Sequence, residues 1–137
     1  MNIENSKKLY KSMYNLVYSC QYHVIFTPKY RRKVLINPID FRLKELILEK
    51  QSEYNYEILE IEIMSDHVHL LIDINPKISV HSVISKIKGY TSKILRDEFL
   101  YLKSRIPSLW TRSCFISSVG SVSLEVVKKY IEDQKVK

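Results

Sequence analysis

Glycine is nearly missing from this chain: Gly89 and Gly120 are the only two in 137 residues, and just four prolines accompany them. With so few breakers, and with no internal repeat, low-complexity stretch or linker, one compact unit over residues 1–137 is expected. Cysteine is equally scarce. Cys20 and Cys114 lack any Cys-x-x-Cys spacing and read as small buried hydrophobes in a reducing compartment. No apolar run is long enough to span a bilayer. The polar opening MNIENSKKLYKSMYN lacks the apolar segment of a secretory signal, so a cytoplasmic location is expected. Acidic residues are also short: 15 Asp and Glu face 22 Lys and Arg, for a net charge of +7. A small basic domain works against a polyanion, most often nucleic acid, although charge alone does not choose among DNA, RNA and an anionic membrane. Ten tyrosines offer faces for base stacking or bulk for a core.

The patterning that is present divides the chain cleanly. Residues 17–26, VYSCQYHVIF, read as a strand. Pro28 then breaks it and places Lys29, Arg31, Arg32 and Lys33 on a basic turn. Residues 40–54 have helical period, with Asp40 as N-cap and Phe41, Leu43, Leu46, Ile47 and Leu48 leaning to one side. In 56–64, Leu59, Ile61 and Ile63 alternate with Glu60 and Glu62; in 67–74, Val68, Leu70, Ile72 and Ile74 form an apolar face. Ser65 and Asp66 join these strands as a hairpin turn. Residues 79–106 read as one long helix opened by Ser79, and 109–119 as a fourth strand. After Gly120, Ser123 can cap a last helix over 123–137, with residues 1–16 as a polar N-terminal extension. This order predicts an α+β, ferredoxin-like (RRM-like) split βαββαβ antiparallel sheet with an added C-terminal helix. Both main helices cover one sheet face and the other stays open.

His67 and His69 stand two apart on a strand, so they share a side, about 7 Å apart along it. That side is opposite Val68 and Leu70 and is therefore the open face. Two imidazoles there can give one divalent metal a nitrogen each. Glu62 and Asp73 fall on the same side as accessory carboxylates. The bland alternative is a pair of half-exposed histidines with ordinary hydrogen bonds. A third ligand is needed, and the terminal segment KKYIEDQ offers one: Tyr130 and Gln134 are four apart, one turn from each other on a helical face. Two neutral imidazoles and a neutral amide leave the metal's charge available to an anionic substrate such as a phosphodiester.

His67-Val68-His69 followed by Tyr130-x-x-x-Gln134 resembles the single-tyrosine HUH transposases of the insertion sequence 200/605 family. YHVIFTPKYRRKVL (22–35), MSDHVHLLI (64–72), SKIKGYTSKILRDEF (85–99) and LWTRSCFISSVGSVSLEVVKKYIEDQ (109–134) look like that family's blocks in the same order. The resemblance implies cleavage and rejoining of single-stranded DNA beside hairpins at the ends of a mobile element. It implies Tyr130 as nucleophile, and His67, His69 and Gln134 as ligands of Mg2+ or Mn2+. It also implies a homodimer, with an active site shared between subunits in related enzymes and the serines around Gly120 as a flexible joint. A free tyrosine, with its pKa near 10, needs activation, for which metal proximity, Lys128 and Lys129 are candidates.

DNA contacts are expected from Lys29, Arg31, Arg32 and Lys33, and along the long helix from Lys86, Lys88, Lys93 and Arg96, where Lys86 and Lys93 share one side. Tyr30 and Tyr90, set among basic residues, are candidate stacking faces or core residues. His23 and His81 read as structural. Three alternatives stand beside the main reading: a non-catalytic RRM-like single-strand-binding module, a small metal-dependent hydrolase using water, and a domesticated relative that cuts repeated palindromes.

Overall fold

The computed structural model describes residues 11–13, 16–120, 128–129 and 131–132. Tyr130, Gln134 and the expected cap Ser123 lie outside the described residues. Strands β1 (Lys11–Met13) and β2 (Leu16–Tyr18) form a separate antiparallel ribbon. Strands β3 (Gln21–Phe26), β4 (Tyr56–Met64), β5 (His67–Ile74) and β6 (Phe115–Ser118) form the main sheet in the order β4-β5-β3-β6, with every neighbouring pair antiparallel. Helices α1 (Ile39–Glu49), α2 (Gln51–Tyr54), α3 (Val80–Glu98) and α4 (Leu100–Arg105) complete the βαββαβ order. The ferredoxin-like expectation holds, and its reason is visible in the core. Val24 and Phe26 of β3 and Val68, Leu70, Ile72 and Ile74 of β5 are buried with Leu43, Leu46 and Ile47 of α1 and Val83, Ile84, Ile87 and Leu95 of α3. One sheet face is thus covered by both long helices, and the odd-numbered residues of β3 and β5 point away from them.

Several element boundaries differ from those the sequence predicts. The strand expected over 17–26 is two strands, because Ser19 and Cys20 interrupt it. The first helix starts at Ile39, not Asp40, with Pro38 at the N-cap position. Ile39 is fully buried, so the core draws it into the helix, and Asp40 Oδ1 accepts only from the neighbouring Phe41 amide at 2.9 Å. Phe41 and Leu48 do not lean on the core: they lie about 180–200° round the helix from Ile39 and are exposed. The helix breaks at Lys50, and Asn55 ends α2 in the left-handed region (φ 62°, ψ 46°), which asparagine tolerates. The helix expected over 79–106 opens as predicted, Ser79 Oγ accepting from the Ser82 amide at 3.3 Å. It is broken at Phe99 (φ −123°, ψ 89°), and the turn brings Leu102 and Ile106 into the core.

Two strands also depart from the predicted pattern. In β4 a bulge between Ile58 and Glu60 shifts the register, so Ile58, Ile61 and Ile63 pack on the core while Leu59 is the extra residue. The strand expected over 109–119 is confined to β6. Upstream of it Trp110 makes one bridge to Pro28, stacks edge-on against Phe26, and donates its Nε1–H to Thr91 Oγ1 at 3.0 Å. Burying a large indole there fixes the chain better than continued pairing would. Among the described residues, no helix is long and apolar enough to cross a membrane.

Candidate active site

The β4–β5 hairpin builds the site. Ser65 and Asp66 make the two-residue turn, and β5 begins at once with His67. Register sets the neighbours: Met64 lies opposite His67, Glu62 opposite His69 and Glu57 opposite Asp73 on β4, while Ile25 lies opposite His69 on β3. His67 and His69 are therefore on the uncovered face, both half-buried, with Glu62 exposed beside them. Asp73 is on the same face but six residues along the strand and 3% exposed, too far down to join the pair.

Both histidines are held by a polar partner. His67 Nδ1 is 2.9 Å from Asp66 Oδ1, and Asp66 Oδ2 accepts from Arg31 at 3.0 Å. These bonds, first that from His67 and then that from Arg31, pull the Asp66 carboxyl below its usual range. The chain Arg31–Asp66–His67 fixes the ring and leaves His67 Nε2 for a ligand, as carboxylate-tethered metal histidines do. His69 Nε2 lies 3.0 Å from His23 Nδ1, with the ring centroids 5.2 Å apart and the planes at 21°, so the rings meet edge to edge. His23, read from sequence as structural, is therefore part of this cluster. The signal was its parity: Gln21, His23 and Ile25 alternate with the buried Val24 and Phe26.

Two oriented imidazoles are a fitting donor set for a divalent ion of intermediate softness. Among the described residues no three His, Cys, Asp or Glu side chains converge as a metal site. The resemblance gives the part of a third donor to Gln134, which lies outside the described residues.

The basic residues fall into distinct groups. The turn Lys29–Arg31 is a short 3-10 element in which Tyr30 (φ 60°) and Arg31 (φ 50°) both adopt positive φ. Two consecutive non-glycine residues in that region are strained, and the Tyr30 ring there is 67% exposed with Lys29 Nζ 5.5 Å from its centroid. Arg32 and Lys33 line a cleft of about 290 Å3 with Tyr101 and Arg105. Lys86 and Lys93 are exposed on α3, in the helix layer on the far side of the sheet from His67 and His69. The structure does not bring them to the histidines.

Lys88 and Arg96 serve the fold. Lys88 Nζ donates to the carbonyls of Thr111 at 2.6 Å and Ser113 at 3.1 Å, and burial lowers its pKa. Arg96 donates to the carbonyls of Pro107 at 3.0 Å and Ile106 at 3.3 Å. Both tie down the segment that leads into β6. Tyr90 is no free stacking face: its hydroxyl donates to Glu49, Lys50 Nζ sits 4.4 Å from its centroid, and Tyr54 meets it edge-on. At the other end of the chain, Lys128, Lys129, Ile131 and Glu132 are helical and exposed.

Comparison with known proteins agrees with this geometry. The family described as "Transposase IS200 like" matches residues 16–134. The transposase for insertion sequence element IS200 of Salmonella typhimurium is 35% identical over 132 residues, 92% of this chain and 86% of that protein. The ISDra2 transposase TnpA of Deinococcus radiodurans is 30% identical over 120 residues, 86% of each chain. A crystal structure of a Deinococcus radiodurans protein described as a transposase superposes with a TM-score of 0.75 at 28% identity, covering 90% of this chain and 97% of that one. A REP-associated tyrosine transposase bound to a REP hairpin shares the fold, with a TM-score of 0.57 at 14% identity over 90% of this chain and 68% of that one. With a family match over nearly its whole length and relatives of this similarity, the chain belongs to the IS200-like transposase family.

Proposed function

We propose that this transposase cleaves and rejoins single-stranded DNA beside hairpins at insertion-sequence ends, with Tyr130 as nucleophile. The observation that carries the reading is the oriented pair on the open face: His67 tethered by Asp66, and His69 beside it with its ring held. His67, His69 and Gln134 would hold Mg2+ or Mn2+. Such an ion supplies Lewis acidity to a non-bridging phosphate oxygen and to the departing 3′-oxygen. The Tyr130 oxygen forms a bond to phosphorus and gives up its proton; the bond from phosphorus to the 3′-oxygen breaks, and that oxygen leaves as a 3′-OH. A 5′-phosphotyrosine conserves the ester bond, so a second 3′-OH can reverse the step on another strand without ATP.

Lys29, Arg32 and Lys33 supply phosphate contacts at the end of the sheet where the hairpin turn lies, with Arg31 linking this patch to Asp66. Lys86 and Lys93 would serve a longer DNA that wraps onto the helix layer. The exposed Tyr30 ring is a stacking face for an unpaired base. Two copies of the chain act together, each active in the cytoplasm where its DNA substrate is.

The test is a covalent-adduct assay. The protein is mixed with labelled single-stranded hairpin oligonucleotides from DNA flanking its gene, with and without Mg2+ or Mn2+, and run on a denaturing gel beside Tyr130→Phe. A metal-dependent shifted band that disappears in Tyr130→Phe is expected. Binding without an adduct across several flanking hairpins and both metals would make the chain a non-catalytic single-strand-binding module.

A further inference from the structure

The proposed chemistry gives no work to His23, yet this residue lies within hydrogen-bond distance of His69. It sits on β3, the strand next to β5, with Leu71 directly opposite and His69 one diagonal step away on the same face. Its Nδ1 is 3.0 Å from His69 Nε2, and the two rings lie 5.2 Å apart at 21°. Both side chains are half-buried. We propose that His23 is a positioning residue: it sets the ring plane and the tautomer of His69, as Asp66 does for His67. The inference rests on the reading that His67 and His69 share a divalent ion.

Two imidazole nitrogens at hydrogen-bond distance hold one proton between them, since two N–H groups repel and two lone pairs make no bond. The tautomers of His23 and His69 are therefore tied, and only one arrangement suits an ion: His69 Nε2–H donates to His23 Nδ1 and leaves His69 Nδ1 with a free lone pair, whereas the reverse leaves His69 none. The bond also fixes the ring plane: the rings lie edge to edge with their planes 21° apart, and rotation of His69 about its χ2 would carry Nε2 away from His23 Nδ1. A metal-binding histidine needs one lone pair pointed one way, and an untethered imidazole divides its time between tautomers and ring flips. Partners of metal-bound histidines account for about 10–100-fold in affinity. Asp66 cannot serve His69, since it is engaged by His67 and Arg31. Within the described residues, His69 has His23 in that position.

Two substitutions separate the bond from the bulk of the ring. His23→Phe keeps a ring beside His69 and removes both nitrogens. His23→Asn returns a polar atom near the place of Nδ1. The full chain, 15N-labelled at histidine, is examined at one fixed pH above the histidine range: long-range proton–nitrogen spectra report the His69 tautomer without metal, and Mn2+ titration followed by electron paramagnetic resonance reports affinity. His67→Ala is the control for binding at the pair. Wild type is expected to show His69 protonated on Nε2, His23→Phe a mixture with about 10–100-fold weaker Mn2+ binding, and His23→Asn a return toward wild type in both. A single tautomer in His23→Phe would overturn the proposal. So would a mixture of tautomers with unchanged Mn2+ affinity. Absence of Mn2+ binding that depends on His67 in the wild type would instead overturn the metal reading, and the purpose given to His23 with it.

Discussion

Replacing Asp66 by alanine removes a carboxylate bonded to His67. The bond lost is 2.9 Å long, and the Asp66 side chain is only 22% exposed, so water replaces it poorly. Without it, His67 can turn about χ2 and exchange tautomers, and its Nε2 lone pair is no longer held toward one point. The expected result is a loss in Mn2+ affinity of about 10–100-fold, the range for outer partners of metal histidines. The structure also orders a series. Asp66→Asn keeps an acceptor where Oδ1 stands and loses only the charge shared with Arg31, so it should stay within about threefold of wild type. Arg31→Ala removes a partner whose side chain is 71% exposed, so solvent screens that ion pair and the loss should be much smaller than for Asp66→Ala. Isothermal titration with Mn2+ on each purified variant reads the series, with thermal melting confirming that the hairpin still folds. If Asp66→Ala binds as tightly as wild type while Arg31→Ala does not, His67 is not oriented from the turn and the reasoning fails.

Three further outcomes follow from the same geometry. Leu70→Ala, at a fully buried site on β5, should cost about 2–5 kcal/mol in urea unfolding; a loss under 1 kcal/mol would mean the helix layer does not pack on the even-numbered residues of that strand. Tyr30→Ala should weaken binding of single-stranded DNA by about 1–3 kcal/mol and leave the melting temperature unchanged, whereas Tyr90→Phe, which loses its bond to Glu49, should do the reverse; equal effects on binding would remove Tyr30 as the stacking face. Hydrogen bonds from Arg42 hold the Glu98 carboxyl below its ordinary value, so this pair stabilises the fold above the ordinary glutamate range and the contribution fades as pH falls through the lowered folded value. Glu98→Gln should therefore lose at most about 1 kcal/mol at pH 7, since Glu98 is 40% exposed, and the gap to wild type should close toward pH 3; a gap that widens in acid would reverse the assignment.

How far the sequence could be read depended on period. Where alternation was strict, as in HVHLLIDI, each residue's face followed, and Val68, Leu70, Ile72 and Ile74 are buried as that reading requires. Where a single residue was added, it failed: the bulge at Leu59 moved the core face to Ile58, and no composition signal marks a bulge in a run of Ile, Leu and Glu. Helix ends failed for a related reason. Phe99 is a reasonable helix former, and only the need to bury Leu102 and Ile106 beyond it bends the chain there. Tertiary burial outweighs propensities of a few tenths of a kcal/mol, and it cannot be seen in a window of neighbours.

The same limit explains His23. Its own strand gave its face but not its partner, because pairing between β3 and β5 joins residues 46 apart in sequence. His67 and His69 could be found from one strand; the groups that orient them come from the preceding turn and the adjacent strand. Candidate ligands carried on a single element are legible in sequence, as is Asp66 beside His67; what lies against His69 is set by sheet order. That order places β3 beside β5, and so places one more imidazole against His69 than the HxH motif contains.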